Sequence, residues 1–571
     1  MLRNRLFGVL GLVLLVVVLS VPALGASRVD LVVLATTDLH GHIHPIDYFT
    51  SKLDEGGLAQ VATYVASVGA ETPNVLLVDN GDCLEGGNST LPYHYMFDSE
   101  ATNPMIRVMN LIGYDSMTIG NHEFNYGLGV LRNAAAEARF PIISANVLGT
   151  DGKPYFEPYY INDFGEFHVG VLGLTTPKVP IWEKPENIRG LLFADPVVEA
   201  KHWVTEMRSN GADVVVIVAH TGRESRPKDS SNPDRWLVPT DWVDTGQQEE
   251  NYALRLANEV PGVDVLVVGY DHLAVPGVTK MGDIVKSDVI IVQPGFWGDY
   301  VSRVDIVLEQ AGGKWNAVQK TGSLIPMADV KPDEQVLAEA KCYHDQTVEY
   351  FKQPVAMAKA HMPGGIPARF YDSALVELIN LSQLWATGAD ISCAALFTDQ
   401  AKITQGPISV QDVYGLYIYP NTLYTIKVTG KQVREALEHS ARYFNVYTGQ
   451  AGLAEIVNPS IRGYNYDIYQ GVECKIDISR PVGQRIVELK YKGEEVQPDQ
   501  EFVLALNNCR AGEGGGYTMF GGSPILYEST KEAREVIVEY LRSIGTFDPA
   551  VAVDNNWSIL PASLREMARP R

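Results

Sequence analysis

Residues 29–38 read "VDLVVLATTD": an apolar run rich in Val and Leu that stops abruptly at Thr-Thr-Asp. A run this short that is apolar at nearly every position, not every second one, predicts a strand buried on both faces, as in a largely parallel sheet. The pattern recurs in "PNVLLVDNGD" (73–82), "YDSMTIGN" (114–121), "FPIISANV" (140–147), "HVGVLGLTT" (168–176), "ADVVVIVAH" (212–220) and "VDVLVVGYDH" (263–272), each ending in a polar cluster. Amphipathic helical patterns such as "LAQVATYVASVGAE" (58–71) and "DPVVEAKHWVTEMRSNG" (195–211) lie between them. The alternation predicts an α/β domain whose strands deliver polar residues to their C-terminal ends, where the active sites of such sheets gather.

Five of those ends carry His, Asp or Asn. "TTDLHGHIH" supplies Asp38 and His40, "DNGDCLEGG" Asp82, "GNHEF" Asn121 and His122, "VAHTG" His220, and "GYDH" His272. Carboxylate, imidazole and carboxamide donors together suit a borderline divalent ion of the Mn, Zn, Co or Fe class, whereas a hard all-oxygen site would not use several histidines. A carboxylate between two such ions would hold them about 3.5–4 Å apart, the arrangement that activates water against phosphorus. Taken singly, Asp-x-His is an ordinary turn, Gly-Asp a common local hydrogen-bonding unit, and one strand-end His usually structural. Their succession at five of the seven strand ends is what points to a metal site.

Length and charge agree. A chain of 571 residues exceeds what one core usually organises, so at least two domains are expected. A second pattern begins near residue 330. "DEQVLAEAKCYHDQTVEYFKQ" (333–353) reads as one connecting helix, and beyond it helical stretches at 369–388 and 429–445 stand among strand-like "TLYTIKVTG", "ECKIDIS", "RIVELKYKG" and "EFVLALNN", an α+β arrangement. The expected units are therefore 26–324, a connector over 325–352, and 353–571. Residues 1–25, with Arg3 and Arg5, an apolar run and small residues at Ala23 and Gly25, read as a secretory leader, with an uncleaved anchor as the alternative. Its removal takes the net charge from −23 to −25. Such a surface repels nucleic acid polymers and anionic lipid, so an anionic substrate must be small and met by local positive charge, which a metal site supplies. The five cysteines, Cys83, Cys342, Cys393, Cys474 and Cys509, lack the spacing of a zinc cluster or a disulfide framework.

Asp-x-His, Gly-Asp, Gly-Asn-His-Glu and His-Thr-Gly in this order resemble the calcineurin-like metallophosphoesterases of the 5′-nucleotidase branch. With "VQPGFWGD" (292–299), "YIYPNTL" (417–423), "YNYD" (464–467) and "DNNW" (554–557), the chain is similar over nearly its whole mature length to the 2′,3′-cyclic-nucleotide 2′-phosphodiesterase/3′-nucleotidases. The resemblance implies a calcineurin-like sandwich followed by a 5′-nucleotidase-type substrate domain, and opening of 2′,3′-cyclic nucleotides to 3′-nucleotides and then nucleosides. It implies two divalent ions, with Asp38, His40, Asp82 and His272 around the first and Asp82, Asn121 and His220 around the second, so that Asp82 bridges. His122 becomes the catalytic histidine outside the metal shell, while Glu123 orients the loop. Asn125 stands where 5′-nucleotidases have an Asp paired with that histidine; an amide oxygen still accepts the ring N–H but lacks the charge that would raise the histidine's pKa.

Two departures qualify this picture. Tyr270 in "GYDH" replaces a histidine ligand of the second ion, and a phenol ligates only when ionised. Cys509 in "NNCR" replaces a tyrosine that stacks on the base, leaving Tyr419 as the matching aromatic, with Tyr517 and Arg510 as further substrate-binding candidates. A 5′-nucleotidase or UDP-sugar hydrolase of the same fold, or a nucleotide-binding protein that has lost catalysis, are the alternatives.

Overall fold

The computed structural model describes residues 27–54, 56–85, 102–222, 225–227, 242–244, 251–278, 288–419, 421–449 and 452–568. The leader expected over residues 1–25 lies outside these.

Strand Arg28–Thr36 sits at the centre of the first six-stranded sheet. It pairs parallel with Val75–Asp79 and antiparallel with Tyr300–Ala311; beyond Val75–Asp79 follow Ser116–Thr118 and Ile142–Ile143, both parallel. A second six-stranded sheet places Val214–His220 between His168–Thr175 and Val265–Val268, again parallel. Period-2 alternation explains why these strands are apolar throughout. Leu31, Val33 and Ala35 join Val214, Val216 and Val218 in one core between the sheets, while Val32 and Leu34 turn to a helix-covered core on the outside. Val215, Ile217 and Ala219 likewise face a core containing Val197, Ala200 and Val204 of helix Pro196–Ser209. Both sheets are thus covered on both faces, and their polar strand ends meet at one edge.

The C-terminal half has its own core around a five-stranded sheet in the order Asp467–Gln470, Ile391–Ala395, Glu501–Asn507, Thr422–Thr429, Ile525–Glu532, flanked by helices Ala374–Thr387, Gly430–Ala441 and Ala533–Ile544. The connector is not one helix. It divides into Glu334–Glu339 and Lys341–Phe351 at Ala340. The physical reason is that its two ends belong to different cores: Val336 and Ala340 pack with the first half, Tyr350 and Phe351 with the second. Strand Lys314–Pro326 also runs two residues beyond the expected boundary at 324, held by the pairing of Tyr300 with Pro326. All five cysteines are free.

Candidate active site

Parallel pairing brings the strand ends together. Thr36 lies beside Asp79, so the turns carrying Asp38 and Asp82 are neighbours, and their backbones bond: Asp38 N–H donates to Gly81 O and His40 N–H to Asp82 O. The second sheet contributes His220 and the turn 269–272. The local backbone is unusual, with positive φ at Asp38 (50°), His40 (44°), Asp82 (56°), Tyr270 (74°) and His272 (57°). Non-glycine residues avoid this region, and such strain persists where surrounding structure enforces it, typically at functional sites.

Asp38 and Asp82 are fully buried, as is His220. His220 Nδ1 is 2.6 Å from the carbonyl of Asn80, an atom that only accepts; Nδ1 therefore carries the proton and the Nε2 lone pair faces inward, 3.0 Å from Asp82 Oδ2 and 3.9 Å from Asp38 Oδ1. His40 is arranged alike: Nδ1 meets Glu85 at 2.9 Å and Nε2 points at His272 Nε2, 3.2 Å away. His272 Nε2 lies 3.3 Å from Asp38 Oδ1, and its ring stacks on Phe296. Ligand atoms converge in two groups, Asp38–His40–His272 and Asp38–Asp82–His220. Asp38 contributes to both groups; Asp82, the bridging carboxylate the resemblance implies, faces His220 through Oδ2 while its Oδ1 accepts the backbone N–H of His122 at 2.8 Å.

The donor set fits a metal. Asn121 Oδ1 is buried with no hydrogen-bond partner, and the buried Asp38 Oδ1 and His220 Nε2 meet only other candidate ligand atoms, His272 Nε2 and Asp82 Oδ2, acceptors of the kind a cation satisfies. The electrostatics agree. Where no cation takes the Nε2 lone pairs, the carboxylates draw protons there instead: burial alone would lower the pKa of His220, yet Asp82 and Asp38 hold it up at about 10, and for His40 burial is likewise outweighed by Glu85, giving about 9. Asp38 and Asp82 are held below the usual carboxylate range in spite of burial, by His272 and His220 in the first case and His220 and His122 in the second. The site concentrates negative charge that demands cations.

Around this centre the loops are tied by Glu123, buried, whose carboxylate accepts the backbone N–H groups of Asp82 (2.8 Å), Cys83 (2.7 Å), Leu84 (3.1 Å) and Gly120 (2.7 Å). Glu123 orients the loop and does not face the reaction. His122 is partly exposed, and its Nδ1 is 2.6 Å from Asn125 Oδ1, the amide contact read from the sequence. Glu85, invisible as a functional residue in the sequence, is buried between His40 and His122, 4.0 Å from the latter's Nδ1. Tyr270 donates its backbone N–H to Asp38 Oδ2 at 3.1 Å, and its ring stands edge-on to His220. Asp271, the other residue that could complete the second shell, accepts from the Gln293 side chain.

A cavity of about 1330 Å³ opens over the centre, with Asn121, His122, Asn125 and Tyr270 on one wall and Lys402, Tyr419 and Cys509 of the C-terminal half on the other. Tyr419 packs edge-on against Phe397 and Tyr464 and presents its ring to this space. The other two substrate-binding candidates, Tyr517 and Arg510, lie in the core and not on the lining of this cavity. Tyr517 is fully buried, its hydroxyl shared with Ser440 Oγ (2.7 Å) and Asn465 O (3.1 Å), and its ring stacks with Phe520. Arg510 is 5% exposed and spends its guanidinium on Asp467 (2.7 and 3.2 Å), Gly514 O and Tyr464 O, lying over the Tyr517 ring. A buried carboxylate at Asp467 requires a charged partner, and Arg510 is it. The Asp of "YNYD" was the signal for this pairing.

Fold and site together define a class. Residues 31–273 match the calcineurin-like phosphoesterase family and residues 355–522 the 5′-nucleotidase C-terminal domain; phosphoesterases of the first kind are dinuclear metal enzymes. The chain is 31% identical to the 2′,3′-cyclic-nucleotide 2′-phosphodiesterase/3′-nucleotidase of Salmonella typhimurium, over 96% of this chain and 91% of that one. It is also 31% identical to the trifunctional nucleotide phosphoesterase protein YfkN of Bacillus subtilis, covering 94% of this chain and 39% of that longer protein. Among solved structures, a Staphylococcus aureus protein described as a 5′-nucleotidase, in complex with alpha-ketoglutarate, superposes with a TM-score of 0.77 at 26% identity, over 93% of this chain and 99% of that one. The chain belongs to the 2′,3′-cyclic-nucleotide 2′-phosphodiesterase/3′-nucleotidase family.

Proposed function

We propose that this protein is an exported phosphoesterase that opens 2′,3′-cyclic nucleotides to 3′-nucleotides and then releases nucleosides. The observation that carries the reading is His122 at the cavity wall, beside two convergent ligand groups and facing an aromatic Tyr419 across a space large enough for a nucleotide. Asp38, His40, Asp82, Asn121, His220 and His272 would hold two divalent ions of the Mn, Zn, Co or Fe class, the second short of one ligand where Tyr270 stands. When bound, these ions supply Lewis acidity toward the phosphate and lower the pKa of the attacking water.

The chain's own residues do the rest. Asn125 Oδ1 accepts a hydrogen bond from His122 Nδ1–H, so Nε2 is the nitrogen left to face the cavity. Protonated there, His122 donates to the departing ribose oxygen as general acid. Tyr419 offers a ring face to the base, a contact that tolerates any base. Phe49, Phe296 and Trp297 of the first half and His361 of the second also line the cavity. The leader composition supports a site of action outside the cytoplasm. No helix among the described residues is long and apolar enough to cross a membrane.

The test is a product assay on 2′,3′-cyclic AMP, 3′-AMP and 5′-AMP after chelation and reloading with each metal in turn. Turnover of the first two, lost on chelation and restored by metal, is expected. Preferential use of 5′-AMP would make the protein a 5′-nucleotidase, and nucleotide binding without any turnover would make it a binding protein.

A further inference from the structure

An amide beside a catalytic histidine raises a geometric question that an aspartate does not. Either oxygen of a carboxylate can accept the ring N–H, but a carboxamide has one acceptor and one donor end and can turn the wrong one toward the imidazole. With the NH₂ group facing His122, Nδ1 would have to be the unprotonated nitrogen, and the proton would reside on Nε2 in the neutral ring.

The structure contains a device against that. Asn125 Nδ2 donates to Glu183 Oε2 at 2.7 Å. A carboxylate accepts only, so the NH₂ end must face Glu183 and the carbonyl end must face His122. Glu183 is itself fixed: its other oxygen accepts from the backbone N–H of Lys184 at 2.7 Å and from Asn187 Nδ2 at 2.9 Å, and that same Asn187 amide also donates to the backbone carbonyl of Asn125 at 2.9 Å. The carboxylate is 9% exposed and arrives from the segment after helix Val179–Trp182, far from the histidine in sequence.

We infer that Glu183 is a positioning residue for the hydrolysis, acting through Asn125 to keep the proton of His122 on Nδ1 and Nε2 directed to the substrate. The inference rests on His122 being the proton donor proposed above. It also bears on how an amide serves at this position: besides Glu85, 4.0 Å from Nδ1, a second negative charge stands one residue further from the imidazole.

Four variants of the full-length, metal-loaded protein test it: Glu183→Leu, Glu183→Gln, Asn125→Asp and the double variant Glu183→Leu/Asn125→Asp. Each is read by kcat and KM on 2′,3′-cyclic AMP, by metal content, and by the ¹⁵N signature of the His122 tautomer, assigned by its loss in His122→Ala. Glu183→Leu should lower kcat about tenfold, a part of the roughly 10²–10⁴-fold that a general acid supplies, with KM and metal content unchanged and the Nδ1–H signal diminished. Glu183→Gln keeps an acceptor and should lose less. Asn125→Asp alone sets two carboxylates against each other and should lose activity, whereas in the double variant the carboxylate introduced at position 125 cannot present a donor and should recover most of the Glu183→Leu loss. Wild-type kcat and tautomer in Glu183→Leu, a loss that Asn125→Asp does not restore, or a loss in Glu183→Gln as large as in Glu183→Leu would each overturn the inference. Undiminished turnover in His122→Ala would instead overturn the role of His122 itself.

Discussion

Glu123→Gln isolates the contribution of one buried carboxylate to the metal-bearing loops. One carboxylate oxygen accepts from Cys83 and Leu84, the other from Asp82 and Gly120. A glutamine of the same shape keeps a carbonyl for one pair and turns an NH₂ toward the other, leaving two buried N–H groups without an acceptor. At about 1–3 kcal/mol per orphaned donor, the loops should lose about 2–6 kcal/mol of local stability. The effect is local because these bonds join only the turns 80–84 and 120–123. Amide hydrogen exchange followed by mass spectrometry on peptides from those two turns reads it directly. The low end of the range corresponds to about 30-fold faster exchange through local opening, with distant peptides of the C-terminal half unchanged. Because Asp82 and Asn121 sit on the same turns, metal should also dissociate more readily. Exchange within about threefold of wild type in both turns would refute the assignment of Glu123 as the tie between them.

Arg510→Ala leaves Asp467 buried and unpaired, and should cost about 3–5 kcal/mol in denaturant unfolding; a stable variant with a raised KM would return Arg510 to the substrate site. Tyr419→Ala removes the aromatic face in the cavity and should raise KM about 5- to 150-fold with kcat little changed, measured by steady-state kinetics on 2′,3′-cyclic AMP; an unaltered KM would place the base elsewhere. Burial, reinforced by Asp372, raises the pKa of Glu377 to about 10. A folded-state value above the unfolded one means stability is fully present below about pH 4.5 and is lost progressively as pH rises toward 10. Glu377→Gln should therefore flatten the fall in Tm between pH 6 and pH 9, and an unchanged slope would show that this carboxyl does not titrate with folding.

The local sequence determined the sandwich and most of the candidate metal-ligand set. Strand periodicity is a local property, and an apolar run that ends in Asp, His or Asn places those donors at a strand's C-terminal end wherever the strand lies in the sheet. Parallel pairing then gathers the ends at one edge, which is why Asp38, His40, Asp82, His220 and His272 converge as the pattern implied. The contact between His122 and Asn125 was legible for the same reason, since it spans three residues. Partner choice among buried polar groups was decided only by tertiary structure. Arg510 and Tyr517 flank a glycine-rich stretch and read as substrate-binding candidates, but a buried carboxylate 43 residues away at Asp467 takes the guanidinium, which lies over the Tyr517 ring in the core. Glu85 reaches His40 across 45 residues and Glu183 reaches Asn125 across 58. The break in the connector follows from two cores that each claim one end of it. A buried charge must be satisfied by whatever group the fold brings within hydrogen-bonding distance, and that distance is set by the packing of whole sheets and domains, which no spacing along the chain encodes.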